Sequence, residues 1–314
     1  MDSSGELLTT SVIGTGPMGA ALARTLSERG ARVTVWNRTR AAAEVLAPLG
    51  IEVADTAAAA FEASEMTIVC VRNHDVALAL LHEVTQAVPS LKGRVVVETS
   101  SSTPAQAREF HADALGHGAD ALDANIMCYP EHIGAPDGLF ACAGPRDTWQ
   151  RAEPNLRALA DCRYAGEDPG AGRVVAKTAA SIYFASHSAF AEAYAAALAL
   201  GADPEAVLSA SLAMNRLAAD GIRMTAEEYT SRRSAGVEAR MATRVQDAEA
   251  GYETIRSAGM PGVMIGAARE LMLRAVDAGR GDEDMVALVD VLLAERSGRP
   301  DRNIPPEMAA PDDR

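Results

Sequence analysis

At 314 residues with 48% hydrophobic content, the chain is long and apolar enough for two domains with large cores. Its 43 acidic against 29 basic residues give a net charge of −14, which argues against nucleic-acid or anionic-membrane partners because such surfaces repel an acidic protein. The cysteines Cys70, Cys128, Cys142 and Cys162 show no C-x-x-C or Cys/His spacing, so the sequence predicts reduced thiols and no metal site.

Residues 1–6 are acidic and lack the basic and apolar segments of a signal peptide. The most apolar stretch, residues 189–200, is interrupted by Glu192 and is shorter than the roughly 18 residues that span a membrane. The sequence therefore predicts a cytoplasmic protein whose partners are small molecules rather than nucleic acids or membranes.

Short runs of β-branched residues punctuate the first half and predict buried strands at residues 11–13, 32–36, 66–71 and 94–97. Alanine- and leucine-rich stretches of helical length separate them, at residues 20–29, 40–49 and 76–88. Because strand and helix alternate, we expect a doubly wound parallel sheet, a Rossmann domain. Two more strand-like runs, residues 121–126 and 139–143, extend this pattern to about residue 164.

The second half has almost no β-branched run, and its alanine, leucine and charged residues recur at helical spacing, so it is predicted to be all-helical. Residues 173–200 predict one helix of about 40 Å between the domains. Asp203 then offers an N-cap for the next helix, and residues 281–284 open the last one. The predicted parts are a Rossmann domain (1–165), an interdomain helix (166–200), a helical domain for dimerisation and substrate (201–296) and a loosely ordered tail (297–314).

A G-x-G-x-x-G motif, formed by Gly14, Gly16 and Gly19, lies directly between the first predicted strand and a helix-forming run. The first glycine permits a tight turn, the second lets the backbone approach a pyrophosphate, and the third lets helix and strand pack closely. A helix N-terminus also favours the anion. The motif predicts a dinucleotide site, to which we also assign Thr15, Pro17, Met18, Val71, Arg72 and Thr99.

The second predicted strand ends in Asn37, Arg38, Thr39 and Arg40, where an NAD-specific protein usually presents an acid to the ribose hydroxyls. The two arginines instead offer fork-shaped cations, and Asn37 and Thr39 offer short hydrogen-bonding groups, a combination that suits a ribose 2′-phosphate. The sequence therefore favours NADPH as cofactor. The alternative is that these arginines are ordinary solvated loop residues.

Residues 14–19, followed by Val35-Trp36-Asn37-Arg38-Thr39, resemble the cofactor signature of bacterial imine reductases, which are relatives of the β-hydroxyacid dehydrogenases. The similarity covers nearly the whole chain and includes Thr103-Pro104, residues 123–130, Ile133-Gly134 and residues 166–170. The resemblance implies hydride transfer from nicotinamide to the carbon of a C=N bond, giving an amine. It also implies an intertwined homodimer whose active sites lie between one subunit's Rossmann domain and the other's helical domain.

Imine reductases usually carry a proton-donating Asp or Tyr on the long helix, and counting from Gly170 and Gly172 puts Ala176, which has no proton to give, at that position. The β-hydroxyacid dehydrogenases use a helix lysine after a G-x-G-x-x-x-K run. Lys177 follows the same glycines with one residue too many, and one residue turns a helix by about 100°. Lys177 is one candidate acid/base, with a solvent-facing or phosphate-steering lysine as the alternative.

Other proton sources stay open. Tyr183 lies about two turns beyond Ala176 and His187 about three turns beyond it, on the same predicted face, with packing as the alternative for both. Tyr129, which follows the predicted strand 121–126, is a further candidate. A substrate that is already an iminium cation needs no donor, and the acidic chain mildly attracts such a cation.

The Ala176 face is expected to receive the substrate. Asn125 stands where β-hydroxyacid dehydrogenases carry a serine and two glycines that grip a carboxylate, and the apolar residues after it, including Met127, favour a hydrophobic amine precursor. Met214 and Met241 are candidate pocket residues of the helical half, with core packing as the alternative.

Two alternatives to imine reduction are kept. One is a β-hydroxyacid dehydrogenase that uses Lys177 as its acid/base. The other is a non-catalytic protein that binds NADPH, which the absence of a donor at Ala176 suggests.

Overall fold

A computed structural model of the protein describes residues 7–232 and 236–297. The chain divides into two compact units, an N-terminal unit (Met1–Ser181) and a C-terminal unit (Ile182–Arg314). Within the described residues, no helix combines the length and the apolar character needed to cross a membrane. The predicted tail beyond Ser297 lies outside the described residues.

One eight-stranded sheet organises the N-terminal unit, with strand order β3-β2-β1-β4-β5-β6-β7-β8. Its strands are β1 (Thr10–Ile13), β2 (Val33–Trp36), β3 (Glu52–Val53), β4 (Met66–Val69), β5 (Val95–Glu98), β6 (Asp120–Ile126), β7 (Leu139–Ala143) and β8 (Asp161–Tyr164). Neighbouring strands are parallel from β3 through β6, as expected for a Rossmann domain. The exception is β7, which runs antiparallel to β6. The segment that joins them holds only a single short turn of helix, Pro130–His132, in place of the crossover helix that usually joins parallel strands.

Six helices flank this sheet: α1 (Pro17–Glu28), α2 (Arg40–Glu44), α3 (Ala57–Glu62), α4 (His74–Ala87), α5 (Pro104–Gly116) and α6 (Arg146–Leu159). Alternate strand residues point to opposite faces, so Val12 joins a core with α1 and α6, whereas Ile13 joins a second core with α3, α4 and α5. Because helices cover both faces, the central strands are buried throughout and read as continuous apolar runs.

A long helix, α7 (Ala171–Ala199), begins in the N-terminal unit and continues into the C-terminal unit, where Gly201 follows it with φ of +81°. The remaining helices are α8 (Pro204–Ser231), α9 (Met241–Ser257), α10 (Val263–Ala275), a π-helical turn (Val276–Arg280) and α11 (Val286–Ser297). Asp203 caps α8, with its carboxylate accepting the Ala206 N–H at 2.8 Å. A small core of Met241, Ala248, Met272, Ala275 and Val291 holds the C-terminal unit together.

Candidate active site

The carboxyl ends of four parallel strands meet at one edge of the sheet. In the strand register, Ile13 pairs with Trp36 and with Val69, and Val69 pairs with Glu98. After β1 the chain forms β2 and β3 on one side of that strand, and it then crosses to form β4 on the other side. The strand order therefore reverses between β1 and β4, which makes this gap the topological switch point. In open parallel sheets, ligands bind at such a point, outside the carboxyl ends of the strands.

Each glycine of the loop after β1 answers a different steric demand. Gly14 has φ of +94°, and a Cβ added there would lie 2.2 Å from the Cys70 carbonyl oxygen. A Cβ on Gly19 would lie 1.9 Å from the Gly14 carbonyl oxygen, so α1 packs against the loop only without a side chain there. A Cβ on Gly16 would meet nothing within 4 Å. The first two glycines therefore serve the fold, whereas Gly16 borders open space in front of α1.

The N-terminus of α1 is prepared for an anion. Gly16 is its N-cap without a side-chain cap, no acidic residue lies in the first turn, and Pro17 contributes no N–H of its own. The Thr15 Oγ1 is buried and has no hydrogen-bond partner among the described residues. Since the uncapped N–H groups and the helix dipole attract negative charge, this loop fits the diphosphate of a dinucleotide.

The two arginines that follow β2, Arg38 and Arg40, have different surroundings. Asn37 fixes the glycine loop, because its Oδ1 accepts the Thr15 N–H at 3.1 Å while its Nδ2 donates to the Thr39 carbonyl at 3.0 Å. Arg40, at the start of α2, pairs with Glu44 at 2.8 Å and with Asp55 at 2.6 Å. These hydrogen bonds raise the pKa of Arg40.

Arg38 is exposed, and no ion pair joins it to any residue in the described ranges. Of the two predicted phosphate ligands, its guanidinium is the one without a competing carboxylate partner. A planar guanidinium with unused N–H groups is a strong ligand for a phosphate.

The other residues assigned to the cofactor follow β4 and β5. The Thr99 hydroxyl donates to the Val69 carbonyl at 2.9 Å, the Val71 N–H donates to the Ser100 hydroxyl at 3.3 Å, and Arg72 is exposed. Sequence reasoning missed Ser102, whose buried hydroxyl lacks a partner among the described residues. Together with Thr15, it is an unsatisfied polar group on a loop that follows a strand of the switch-point region, where a ligand can satisfy it.

A buried ionic cluster, absent from the sequence analysis, lies at the same edge of the sheet. Arg173, in the first turn of α7, is 1% exposed and pairs with Glu98 of β5 and Asp123 of β6, each at 2.5 Å. Asn125 also belongs to it, accepting from Arg173 at 3.0 Å and donating to Asp123 at 2.9 Å. Gly172 makes this approach possible, since a Cβ there would lie 2.9 Å from an Asp123 carboxylate oxygen. We call Glu98, Asp123, Asn125 and Arg173 the acid–arginine cluster.

Two carboxyl groups share one guanidinium in the acid–arginine cluster. Burial raises the pKa of Asp123 to about 7, against the opposing effect of the Arg173 charge. Burial also raises the pKa of Glu98, which Arg173 and the Ser100 hydrogen bonds oppose. A carboxyl group such as Asp123, with a pKa near neutrality at the ligand edge of a Rossmann sheet, marks a candidate functional site.

Around the predicted donor position, α7 runs without interruption from Ala171. Ala176 is buried and Lys177 is exposed, and because the helix is regular at both positions, no bulge absorbs the extra residue before the lysine. Tyr183 is 44% exposed and its ring contacts that of His187 at a tilted angle of 46°, with 4.6 Å between ring centroids. Tyr129, on the loop after β6, is 55% exposed.

The predicted substrate residues lie in different surroundings. Asn125 is buried within the acid–arginine cluster, and Met127 is half-buried just beyond β6. Met214, on α8, is exposed, whereas Met241 is fully buried in the core of the C-terminal unit. The position of Met241 favours the core-packing alternative.

Two family profiles match consecutive parts of the chain. One, described as the NAD binding domain of 6-phosphogluconate dehydrogenase, matches residues 9–166. The other, described as the NADPH-dependent reductive aminase-like C-terminal domain, matches residues 168–294.

The chain is 28% identical over 284 residues to the NADPH-dependent reductive aminase of Aspergillus oryzae, a match that covers 89% of this chain and 95% of that protein. The structure of an imine reductase from Pseudomonas sp. superposes with a TM-score of 0.83 at 27% identity, covering 91% of this chain and all of that one. An imine reductase from Myxococcus stipitatus in complex with NADP+ gives a TM-score of 0.82 at 27% identity, covering 90% and 99% of the two chains. The chain is a member of the imine reductase family.

The site residues that could be predicted from the sequence of this imine reductase family member lie in short continuous segments. The glycine loop and the residues after β2 are each continuous in sequence. The acid–arginine cluster joins residues 50 and 75 positions apart, so no local pattern reveals it. One signal was available: an arginine directly after Gly172, where a helix is predicted to begin at the edge of a buried sheet, together with Glu98 at the end of a buried strand.

Proposed function

We propose that this chain reduces a C=N bond to an amine with NADPH. The observation that carries the proposal is the loop after β1, where Gly16 borders open space at an uncapped helix N-terminus beside the exposed Arg38. Because the fold is that of an imine reductase, this loop belongs to a protein built for nicotinamide chemistry on imines. When bound, NADPH supplies the hydride that adds to the C=N carbon.

The cofactor is held at the edge formed by β1, β2 and β4. The first-turn N–H groups of α1 bind the diphosphate, and the Thr15 hydroxyl completes its hydrogen bonding there. Arg38 is the main ligand of the 2′-phosphate, and Arg40 contributes less because Glu44 and Asp55 already hold it. The remaining contacts come from Pro17, Met18, Asn37, Thr39, Val71, Arg72 and Thr99.

The surroundings of Asn125 and the position of Lys177 argue against a small hydroxy acid as substrate. Asn125 spends its amide on Asp123 and Arg173 and offers no grip to a substrate carboxylate. Lys177 is displaced by one residue along an unbroken helix, about 100° from the direction that the lysine of a hydroxyacid dehydrogenase takes. An imine with an apolar body suits the apolar character of the predicted substrate residues Ala176 and Met127.

Lys177, Tyr183 and Tyr129 are the candidate proton donors for a neutral imine, and each is exposed in the single chain. A Lys177→Ala variant, a Tyr183→Phe variant and a Tyr129→Phe variant test them one at a time. The variant that lacks the true proton donor should reduce a neutral cyclic imine more slowly. Its rate with the N-methylated iminium salt should be unchanged, since the salt needs no proton.

The protein functions as a homodimer. No residue of α8 is buried within one chain, and its exposed apolar side chains include Leu208 and Leu217, which lie about 180° apart around the helix. A helix that is apolar on opposite sides is stable in water only when other surfaces cover it. A second copy of the chain is the partner that always accompanies it.

The deciding experiment follows NADPH consumption with a panel of cyclic imines, in wild type and in Gly16→Ala. We expect NADPH-dependent amine formation in wild type and its loss in the variant, with both proteins folded. Tight NADPH binding with no turnover across imines and ketones would instead identify a non-catalytic NADPH-binding protein.

A further inference from the structure

We propose that Asp55 is a positioning residue that limits the preference of this protein for NADPH over NADH. Asp55 acts through Arg40, whose guanidinium it holds in an ion pair at 2.6 Å. The inference rests on the proposed function, because it concerns the 2′-phosphate site of the same cofactor. It gives a role to a carboxylate that the sequence analysis did not use.

Asp55 follows the strand that lies beside β2. The two strands are parallel, with Val53 of β3 opposite Val35 of β2, and the Ala54 N–H donates to the Val35 carbonyl at 2.9 Å. Two residues beyond that pair, the chains reach Asn37 and Asp55. The carboxyl ends of β2 and β3 therefore meet. In this way β3 brings an acid close to the place where an NAD-specific protein usually presents one from β2.

Hydrogen bonds fix the backbone next to both members of the ion pair. Directly after Asp55, Thr56 caps α3, and its hydroxyl accepts the Ala59 N–H at 3.0 Å. Three residues before Arg40, Asn37 ties the chain to the glycine loop at 3.1 Å. The ion pair therefore joins two anchored segments, which keeps the carboxylate of Asp55 on the guanidinium of Arg40.

Two cations and two anions lie in this region. Arg40 donates to Glu44 at 2.8 Å and to Asp55 at 2.6 Å, and these hydrogen bonds raise the pKa of Arg40. Arg38 has no ion pair within the described ranges. The four side chains together carry no net charge, so a 2′-phosphate with about two negative charges is attracted less than it would be by two unpaired arginines. The 2′-hydroxyl of NADH carries no charge and does not suffer this loss.

The ion pair is exposed, so its removal should change cofactor binding more than folding. The side chains of Arg40 and Asp55 are 53% and 86% exposed. Exposed ion pairs contribute little to stability because water screens them. An Asp55→Asn variant should therefore fold normally and leave Arg40 with more N–H groups for the 2′-phosphate.

The test measures dissociation constants of NADPH and of NADH by fluorescence titration without substrate. The proteins are wild type, Asp55→Asn and Glu44→Gln, each with Arg40 present and with Arg40→Ala. The second background removes the residue through which Asp55 acts, and the comparison of the two cofactors separates a local effect on the 2′ position from a general effect on the domain.

Two matched controls lie elsewhere in the N-terminal unit. Asp120→Asn corresponds to Asp55→Asn, because Asp120 also pairs with an arginine, Arg151 at 2.5 Å, but begins β6 at the amino ends of the strands. Glu153→Gln corresponds to Glu44→Gln, because Glu153 pairs with Arg157 four residues later at 2.7 Å on α6. Both controls should bind the two cofactors as wild type does.

In Asp55→Asn, the dissociation constant of NADPH should fall about fivefold, the size of one exposed ion pair, and that of NADH should not fall. Glu44→Gln should act in the same direction. With Arg40→Ala present, Asp55→Asn should change NADPH binding by less than about twofold, because the two residues act as one unit.

An unchanged affinity for NADPH in Asp55→Asn would overturn the inference. Equal changes in the affinities of NADPH and NADH would do the same, since they would show a structural effect on the domain. A gain of the same size in the Arg40→Ala background would also overturn it, because Asp55 would then repel the phosphate directly. The titrations need no turnover, so a wild type that binds NADPH and reduces no imine would contradict the proposed function alone.

Discussion

The two units of this protein differ in how much of their apolar surface is buried within one chain. In the N-terminal unit, helices cover both faces of the sheet, and residues such as Val12 and Ile13 are fully buried within one chain. In the C-terminal unit, the core consists of a few side chains around Met241, and α8 buries none of its residues. The second unit therefore presents exposed apolar surface, which the proposed dimer would cover.

This difference separates two kinds of functional residue. The cofactor residues lie on loops fixed by a closed core, so their geometry is set within one chain. Tyr183 and Met214, which lie beyond Ser181, are exposed in the single chain, and the proposed dimer would complete their surroundings. Variants in the two units should therefore fail in distinguishable ways.

The largest effect is expected on α8. Leu212 and Leu217 are 53% and 63% exposed in one chain, and changing both to Glu places charges in the proposed dimer interface. An unpaired charge buried at an interface costs about 3 kcal/mol or more, so dimer affinity should fall by at least about 1000-fold. Sedimentation should then give the mass of one chain.

Val45→Glu is the control for that pair, because Val45 is 69% exposed on the N-terminal unit and lies outside the proposed interface. It should keep the mass of wild type. A wild-type mass equal to one chain would contradict the proposal that a second copy covers the C-terminal unit.

The next effect concerns the glycine loop, where two similar substitutions should separate folding from binding. Gly14→Ala forces a side chain into a positive-φ position against the Cys70 carbonyl and should cost about 3 kcal/mol of unfolding free energy. Gly16→Ala meets no obstacle and should change stability by about 0.5 kcal/mol or less, while its methyl group lowers NADPH affinity about 100-fold. Thermal unfolding and NADPH titration measure the two effects.

Gly116→Ala, at the end of α5 with open space around it, controls for the added methyl group itself. Equal NADPH affinity in wild type and Gly16→Ala would place the diphosphate elsewhere.

The smallest effect distinguishes two neighbouring arginines. Arg38→Ala removes a guanidinium with no carboxylate partner in the described chain and should lower the preference for NADPH over NADH about tenfold or more. Arg40→Ala should lower it only about threefold, since its guanidinium already binds Glu44 and Asp55. The ratio of kcat/KM for the two cofactors is the measurement, and a larger loss for Arg40 would reverse the assignment.

Structural elements that depend on a short continuous segment of sequence were predictable. The strands, the glycine loop and the long helix are all local patterns, and the helix predicted over residues 173–200 spans Ala171–Ala199 in the structure. The reversal at β7 was not predictable in this way, because strand direction depends on how the short connection after Ile126 closes, and periodicity is the same for either direction.

The candidate site was predicted in part, for the same reason. The residue types after β2 identified NADPH, but the engagement of Arg40 by Asp55 depends on two segments meeting in space. Arg173 read as an ordinary first-turn residue, and only the folded sheet brings Glu98 and Asp123 to it. Long-range ion pairs carry no sequence period, so the most charged part of the site was also the least visible.

The most direct test of C=N reduction uses NADPH deuterated at the nicotinamide C4 with a cyclic imine and follows the label in the product. The account predicts an amine with one deuterium on the former imine carbon, formed by wild type and not by Gly16→Ala. No amine, or an amine without deuterium at that carbon while NADPH remains bound, would contradict it.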